Sequence, residues 1–264
     1  MVQAETITVG HHVYTATDAR GTVEDLSQIW QHHVHDSSVP QGWLAGARGF
    51  VAEMAALAGV KLPALDDLDS AFADLCRACT DRYDDMTPDQ VESLLAAMWR
   101  FFPTMRMLDH EHVGTVAHMH ASKGLPKKSV DGGPVSFKGL EHDVQTWRKG
   151  HGRPWQALCI WSTDAIDTLR AEGHPIDHGF AGENLTIAGI PAGAFRPGAQ
   201  FRIGRVRGFL TAYAIPCRQN KDWFVDGDYR RMSHERGDES RLYAMVTTPG
   251  DVHVGDSFEL FSDR

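Results

Sequence analysis

An α+β architecture, an all-α helical bundle followed by a mostly-β barrel-like domain, is the fold class that this 264-residue sequence predicts. Three observations point to it. Over roughly the first 110 residues, apolar positions recur with the 3.6-residue period of helices. From residue 114 the chain breaks into short runs rich in β-branched and aromatic residues, separated by Gly, Pro and Asp. The charge changes at the same place. Residues 1–113 hold 7 Lys+Arg against 17 Asp+Glu, a net of −10, whereas residues 114–264 hold 19 against 18, a net of +1. These shifts divide the chain into an acidic helical bundle over 1–113 and a β-barrel domain over 114–264.

In the first half, Val23, Leu26, Ile29, Trp30 and His33 share one face of a helix predicted over 22–35. A second helix carries Trp43, Ala47, Phe50, Val51, Met54 and Leu57, and a third carries Leu68, Phe72, Leu75, Cys79 and Tyr83. The fourth carries Val91, Leu94, Leu95, Met98, Trp99 and Phe102. Asp66 and the pair Thr87-Pro88 are suitable starts for helices three and four, and Pro103 is a suitable stop for the fourth. Four amphipathic helices joined by short polar connections predict an up-down bundle.

The second half reads as strands at TVAHMHAS, PVSFKGL, QALCIWS, ENLTI, AQFRIG, VRGFLTAYAIP, RLYAMVTTPG and SFELF. DAIDTLRAEG (164–173) reads as a helix, and the stretch near 220–232 as further helix. So many short strands favour a barrel with helical decoration.

Composition excludes some classes of function. With 42% hydrophobic and 23% charged residues, the chain is an ordinary globular protein. No apolar run approaches the ~18 residues of a membrane span. The N-terminus MVQAETITVG lacks the features of a signal peptide, so a cytoplasmic location is expected. An acidic first half would repel phosphate, so no nucleic-acid partner is expected there.

Of four cysteines, Cys76 and Cys79 form C-x-x-C inside a helical run, where core packing explains both. Cys159 falls inside an apolar strand. Cys217, in AIPCRQN (214–220), has apolar neighbours on one side and polar, basic ones on the other. Histidines cluster in GHHVY (10–14), QHHVHD (31–36) and DHEHVG (109–114), read as flanking helices one and four. In an up-down bundle His11, His12, His110 and His112 would lie at one end and form a candidate second metal cluster, with solvated or core roles as the alternative.

The runs HGRPWQALCIWSTDAIDTLRAEGHP, GENLTIAGI, RPGAQFRIG, IPCRQN, SRLYAMVTTPG and VHVGDSFEL occur in an order and spacing that resemble the MOSC domain. That domain is the C-terminal part of molybdenum-cofactor sulfurases and also occurs as stand-alone bacterial proteins. The similarity covers about 114–262; the helical half resembles no family we know.

The resemblance implies a barrel-like β fold and a functional thiol at the cysteine after the proline, Cys217. It would ligate molybdenum of a molybdenum–pterin cofactor or carry sulfur. Both roles need a thiolate, and Arg218 with Lys221 would favour one and attract the cofactor phosphate.

Gly182-Glu183-Asn184-Leu185 matches the family's GENL and makes Glu183 and Asn184 candidate cofactor contacts, with a turn-stabilising role as the alternative. His151, which opens the family's HGGP-type motif, here HGRPWQ, is likewise a candidate cofactor contact. Arg153 there is a candidate phosphate contact and Trp155 a candidate stacking face, both expected at the pocket mouth, with a merely repacked surface loop as the alternative. Arg241 is a further candidate cofactor contact. GLEHD (139–143) places His142 where the family has Gly.

The implied activity is reduction of N-oxygenated substrates or a related oxygen or sulfur transfer. The alternatives are a molybdenum-free persulfide carrier and a binding module without catalysis. Expected partners are a small-molecule substrate, a separate electron or sulfur donor protein, and a second copy of the chain as a homodimer; nucleic acid and membrane are not expected.

Overall fold

In a computed structural model, which describes residues 6–27, 29–30, 41–61, 67–101, 110–144 and 152–262, the chain divides into two compact units, Met1–Arg106 and Met107–Arg264. The division falls a few residues before the predicted boundary.

The first unit opens on a hairpin that the sequence reading took for a lead-in to a helix. Strands β1 (Thr6–Val9) and β2 (His12–Thr15) pair antiparallel with Val9 opposite His12. Gly10, at φ +58, supplies the positive φ angle that so tight a connection demands. Alternate residues Ile7, Val9, His12 and Tyr14 are buried, the period-2 pattern of a half-covered strand.

Helix α1 (Ala16–Glu24) begins six residues before the predicted helix. The reason is its cap: Thr15 Oγ1 accepts the Asp18 N–H at 3.1 Å. Helices α2 (Gln41–Ala58), α3 (Leu68–Arg82) and α4 (Pro88–Phe101) follow. Asp67 caps α3 by accepting the Ser70 N–H at 3.2 Å; the predicted start, Asp66, lies outside the described residues, as does Pro103. Thr87 and Gln90 form a capping box on α4, each side chain accepting the other's backbone N–H at 3.3 and 2.9 Å. The core of this unit includes Phe50, Met54, Phe72, Leu75, Leu94, Leu95 and Met98, with Trp30 stacked on Phe72 at 4.1 Å. Cys76 and Cys79 are buried on α3; burial pushes both thiols up, Cys79 to about 11.

The second unit is a closed barrel. Its strands are β3 (His110–His120), β7 (Leu158–Ser162), β8 (Leu185–Ala188), β9 (Gln200–Ile203), β10 (Val206–Tyr213), β11 (Leu242–Thr248) and β13 (Ser257–Ser262). They run in the order β13-β9-β10-β11-β7-β8-β3, and β13 pairs with β3 to close the ring, with β4 (Ser129–Val130) attached beside β3. Strands β5 (Gly132–Ser136), β6 (Gly139–Leu140) and β12 (Gly250–His253) form a separate three-stranded sheet. Only β7 and β8 run parallel, and helix α5 (Thr163–Ala171) makes the crossover between them.

Residues pointing into the barrel, including Val116, Leu158, Ile160, Leu185, Ile187, Phe201, Leu210 and Phe258, form its core. The helix expected near 220–232 is instead three short 3-10 turns, Arg218–Trp223, Val225–Gly227 and Tyr229–Met232.

One expectation about histidines is corrected here. His110 and His112 do not end a helix: they begin β3, where His112 lies opposite Leu260 and His110 opposite Ser262 of the last strand. His11 and His12 belong to the β1–β2 hairpin of the other unit, and burial holds His12 below the ordinary histidine range. The fourth-helix end on which His110 and His112 were expected is therefore a strand. Among the described residues no group of three or more His, Cys, Asp or Glu is placed to hold a metal. No described helix is long and apolar enough to cross a membrane.

Candidate functional site

Strand β10 ends at Tyr213, and the chain continues through Ala214, Ile215 and Pro216 to Cys217. Pro216 cannot donate to a sheet, so the strand cannot continue through it. Cys217 adopts an extended conformation (φ −114°, ψ 159°) and caps the turn Arg218–Trp223. Of the four cysteines it alone is not buried. Its Sγ accepts a hydrogen bond from Asn220 Nδ2 at 3.6 Å, and its carbonyl accepts the Asn220 N–H at 3.0 Å. Arg218 and Lys221 are both exposed, and Lys221 Nζ lies 3.9 Å from Asp222.

The base of this loop is tied to the GENL segment by Arg241. Its carbonyl accepts the Ala214 N–H at 2.8 Å, and its guanidinium Nη1 donates to the Ala181 carbonyl. Arg241 is 6% exposed, so the side chain runs inward rather than to water. Its Nε is buried without a hydrogen-bond partner among the described residues.

Glu183 is fully buried. Its Oε1 accepts the Gly179 N–H and, at 3.5 Å, the Thr186 hydroxyl, while Oε2 finds no partner among the described residues. Burial raises the Glu183 carboxyl above the usual carboxylate range, with the charges of Arg241 and Lys127 working the other way. Gly182 stands at φ +91 with Leu125 3.0 Å from where a Cβ would lie, so a side chain there would be strained.

Asn184 has a different role from the cofactor contact expected of it. Its Oδ1 accepts the Cys159 N–H at 3.0 Å, and its Nδ2 donates to the His120 carbonyl at 3.2 Å and to Asp143 Oδ2 at 3.0 Å. Buried and fully engaged, the amide stitches β7, β8 and the end of β3 together. Asp143 also pairs with Lys127 at 2.8 Å, in a salt bridge whose side chains are 10% and 4% exposed.

The HGRPWQ loop is also corrected. Trp155 is 0% exposed and packs edge-on against Tyr243 with ring centroids 5.5 Å apart, so it offers no face for stacking a ligand. Arg153 is buried at 4% and begins the turn Pro154–Gln156, its N–H directed at Gln156 Oε1 at 3.5 Å. Neither residue stands at a solvent-facing mouth, because the loop turns its large side chains into the barrel's cover. His151 lies outside the described residues. His142, on the other motif that departs from the family, is exposed and holds φ +66.

Three features escaped the sequence reading. Asn220 was one polar residue among several in RQNKDW. Lys127 was one of three lysines in a polar loop. The third is a row of imidazoles: His118 stacks on His178 at 4.0 Å and lies 6.2 Å from His120. The signal for the row was the alternation in HVGTVAHMH, which puts His118 and His120 on one side of a strand.

The MOSC domain family model matches residues 148–259. Among solved structures, the chain is similar to the YuaD protein of Bacillus subtilis, at 17% identity over 60% of this chain and 100% of that one, with a TM-score of 0.49. It is similar also to a hypothetical protein at 24% identity, over 57% of this chain and 70% of that one, with a TM-score of 0.47. YiiM from Escherichia coli matches at 21% identity over 60% of this chain and 72% of that one, with a TM-score of 0.40. No curated protein matches. The βαβ crossover and the thiol after Pro216 lie within the segment that the family model covers, whereas the closing strand β3 precedes it: residues 148–259 of this chain match the MOSC domain family.

Proposed function

We propose that this domain binds a molybdenum–pterin cofactor through Cys217 and serves reduction of N-oxygenated substrates or a related oxygen or sulfur transfer. The observation that carries the reading is the placement of Cys217. It is the one cysteine not buried, held at the end of a barrel strand by a buried amide. A soft thiolate donor suits a molybdenum centre. The residues around it fit such a group in a second respect: Glu183 Oε2, Arg241 Nε and Asn220 Oδ1 are buried polar atoms lacking partners among the described residues. Buried polar groups are normally bonded, and three orphans on the segments that Arg241 links leave acceptors and a donor for a polar ligand.

In this reading Cys217 would ligate the metal. Glu183 and Arg241 would hold polar edges of the pterin or its phosphate, and Arg218 would add charge from the exposed rim. The bound cofactor would supply two-electron redox chemistry or sulfur exchange at the metal. The chain's own share is to present one thiolate, hold it fixed, and keep the supporting charges in a dry interior. The barrel fixes the end of β10, while the bond from Ala214 to Arg241 fixes the path to Cys217. Glu183 and the Lys127–Asp143 pair are buried around the GENL segment, where they keep charged groups out of water. A separate electron donor protein and a small-molecule substrate complete the proposal.

Elemental analysis of the purified full chain beside Cys217→Ala, with pterin fluorescence after oxidative release, tests it. Near-stoichiometric molybdenum and pterin in the native protein, lost in the variant, support the reading. Neither in either protein, from a host that makes the cofactor, overturns it. A reducible added sulfur on Cys217 would then identify a persulfide carrier.

A further inference from the structure

The loop after Pro216 contains one buried side chain before Trp223. Arg218, Gln219, Lys221 and Asp222 are exposed, and Cys217 is partly so, whereas Asn220 is 1% exposed. Burying an amide is costly unless its hydrogen bonds are made. The local geometry shows where this one is used. The Asn220 backbone N–H donates to the Cys217 carbonyl at 3.0 Å, and its side-chain Nδ2 donates to the Cys217 sulfur at 3.6 Å. One residue therefore grips the cysteine twice, once by main chain and once by side chain. Its Oδ1 remains buried without a partner among the described residues.

We propose that Asn220 is the positioning residue for Cys217: its amide aims the sulfur and supports the negative charge that sulfur carries when it ligates or attacks. The inference rests on the reading of Cys217 as the functional thiol. An N–H directed at a charged acceptor is stronger than one directed at a neutral acceptor, so the contact gains strength in the reactive form. The exposed cations Arg218 and Lys221 lie in high dielectric and among counter-ions, where a charge does little at a distance. The buried amide acts in low dielectric, in contact. The side chain is matched to its task. Aspartate, of the same shape, would set an anionic oxygen against the sulfur, and alanine would leave it without a donor. The unpartnered Oδ1 then stands as an acceptor for an N–H or O–H of whatever group binds at Cys217.

The test uses the full chain purified without cofactor, treated with neutral iodoacetamide at one fixed pH, and Cys217 modification followed by peptide mass. Asn220→Ala is expected to slow modification about three- to tenfold, the net worth of one ordinary hydrogen bond. Asn220→Asp is expected to slow it further, and its matching shape carries the test if the alanine variant fails to fold. Denatured protein should show equal rates for all three. An unchanged or faster rate at Cys217 in a folded variant overturns the proposal, since an amide that merely fills space or shields the sulfur would give that result. The molybdenum content of Cys217→Ala decides the cofactor reading separately. Slowed alkylation together with no cofactor in any protein would leave Asn220 as positioning residue of a thiol that does other chemistry.

Discussion

His142 holds φ +66 at an exposed turn where the resembling family has glycine. Left-handed backbone costs a residue with a Cβ on the order of 1–3 kcal/mol, less for His than for β-branched residues. Glycine gives back about 0.5–1 kcal/mol in unfolded-state entropy. Relief wins by a small margin, so His142→Gly should stabilise the β unit by roughly 0.5–1 kcal/mol, read from the urea midpoint at constant m. A destabilised variant would mean that the histidine side chain makes a contact of worth there.

Thiol reactivity is the other residue-scale expectation. Burial pushes the Cys76, Cys79 and Cys159 thiols up, while Cys217 stands partly open. Brief alkylation of the native protein should therefore label Cys217 first, and mass mapping that finds Cys159 labelled equally fast would contradict the burial described here.

At the scale of elements, the segment 177–183 is latched to the barrel from two sides. Lys127 donates its N–H to the Gly179 carbonyl at 2.9 Å, and Arg241 holds Ala181. Asp143 neutralises Lys127 and accepts from Asn184, so Asp143→Ala would strand a buried ammonium. The expected loss is about 3–5 kcal/mol, measurable as a fall in the thermal midpoint of the β unit.

The imidazole row flanks the same latch. Burial, with His118, His178 and Lys127 adding to it and Asp177 opposing, lowers His120 to about 4. Burial and His118 also lower His178, with Arg170 lowering and Asp177 and Asp167 raising. The unfolded chain takes up these protons near pH 6.5 and the folded chain only lower, so stability falls as pH drops from 6.5 towards 4 and is unaffected above it. Glu183, raised by burial, works against this trend in the same acid range. His120→Gln isolates the histidine: its midpoint should fall less than the native protein's across that window. Parallel curves would show that His120 is not the titrating group.

Legibility followed the same division. Strands of the barrel and helix α5 were visible because their periods are local. The Thr87 cap was visible because it is a two-residue signal. The direction in which Arg153 and Trp155 point was not, because it depends on which side of the loop the barrel wall lies. The β1–β2 hairpin showed its alternation in TITVGHHVYT, but histidine in an inward position masked it.

For the whole molecule, the decisive contact joins the two ends of the second unit. Strand β13 pairs over six residues with β3, from Ser257 opposite Thr115 to Ser262 opposite His110, and on its other side pairs with β9. A ring closed by its first and last strands has no free edge, and opening it exposes two at once along with the core beneath. Phe258 and Leu260, both fully buried, sit on that closing strand. Their removal would cost roughly 1.5–3 kcal/mol each in burial alone, against a total stability of about 5–15 kcal/mol for a domain. The unit beginning at Met107 contains both closing strands and every other strand of the ring. Residues 107–264 expressed alone should therefore fold with a cooperative transition, whereas a full chain ending at residue 256 should lose the barrel and keep the helical signal. Far-ultraviolet circular dichroism and a urea titration distinguish the two. A truncated chain that retained the β transition would show that closure is dispensable, and the barrel would then have to be held by its interior alone.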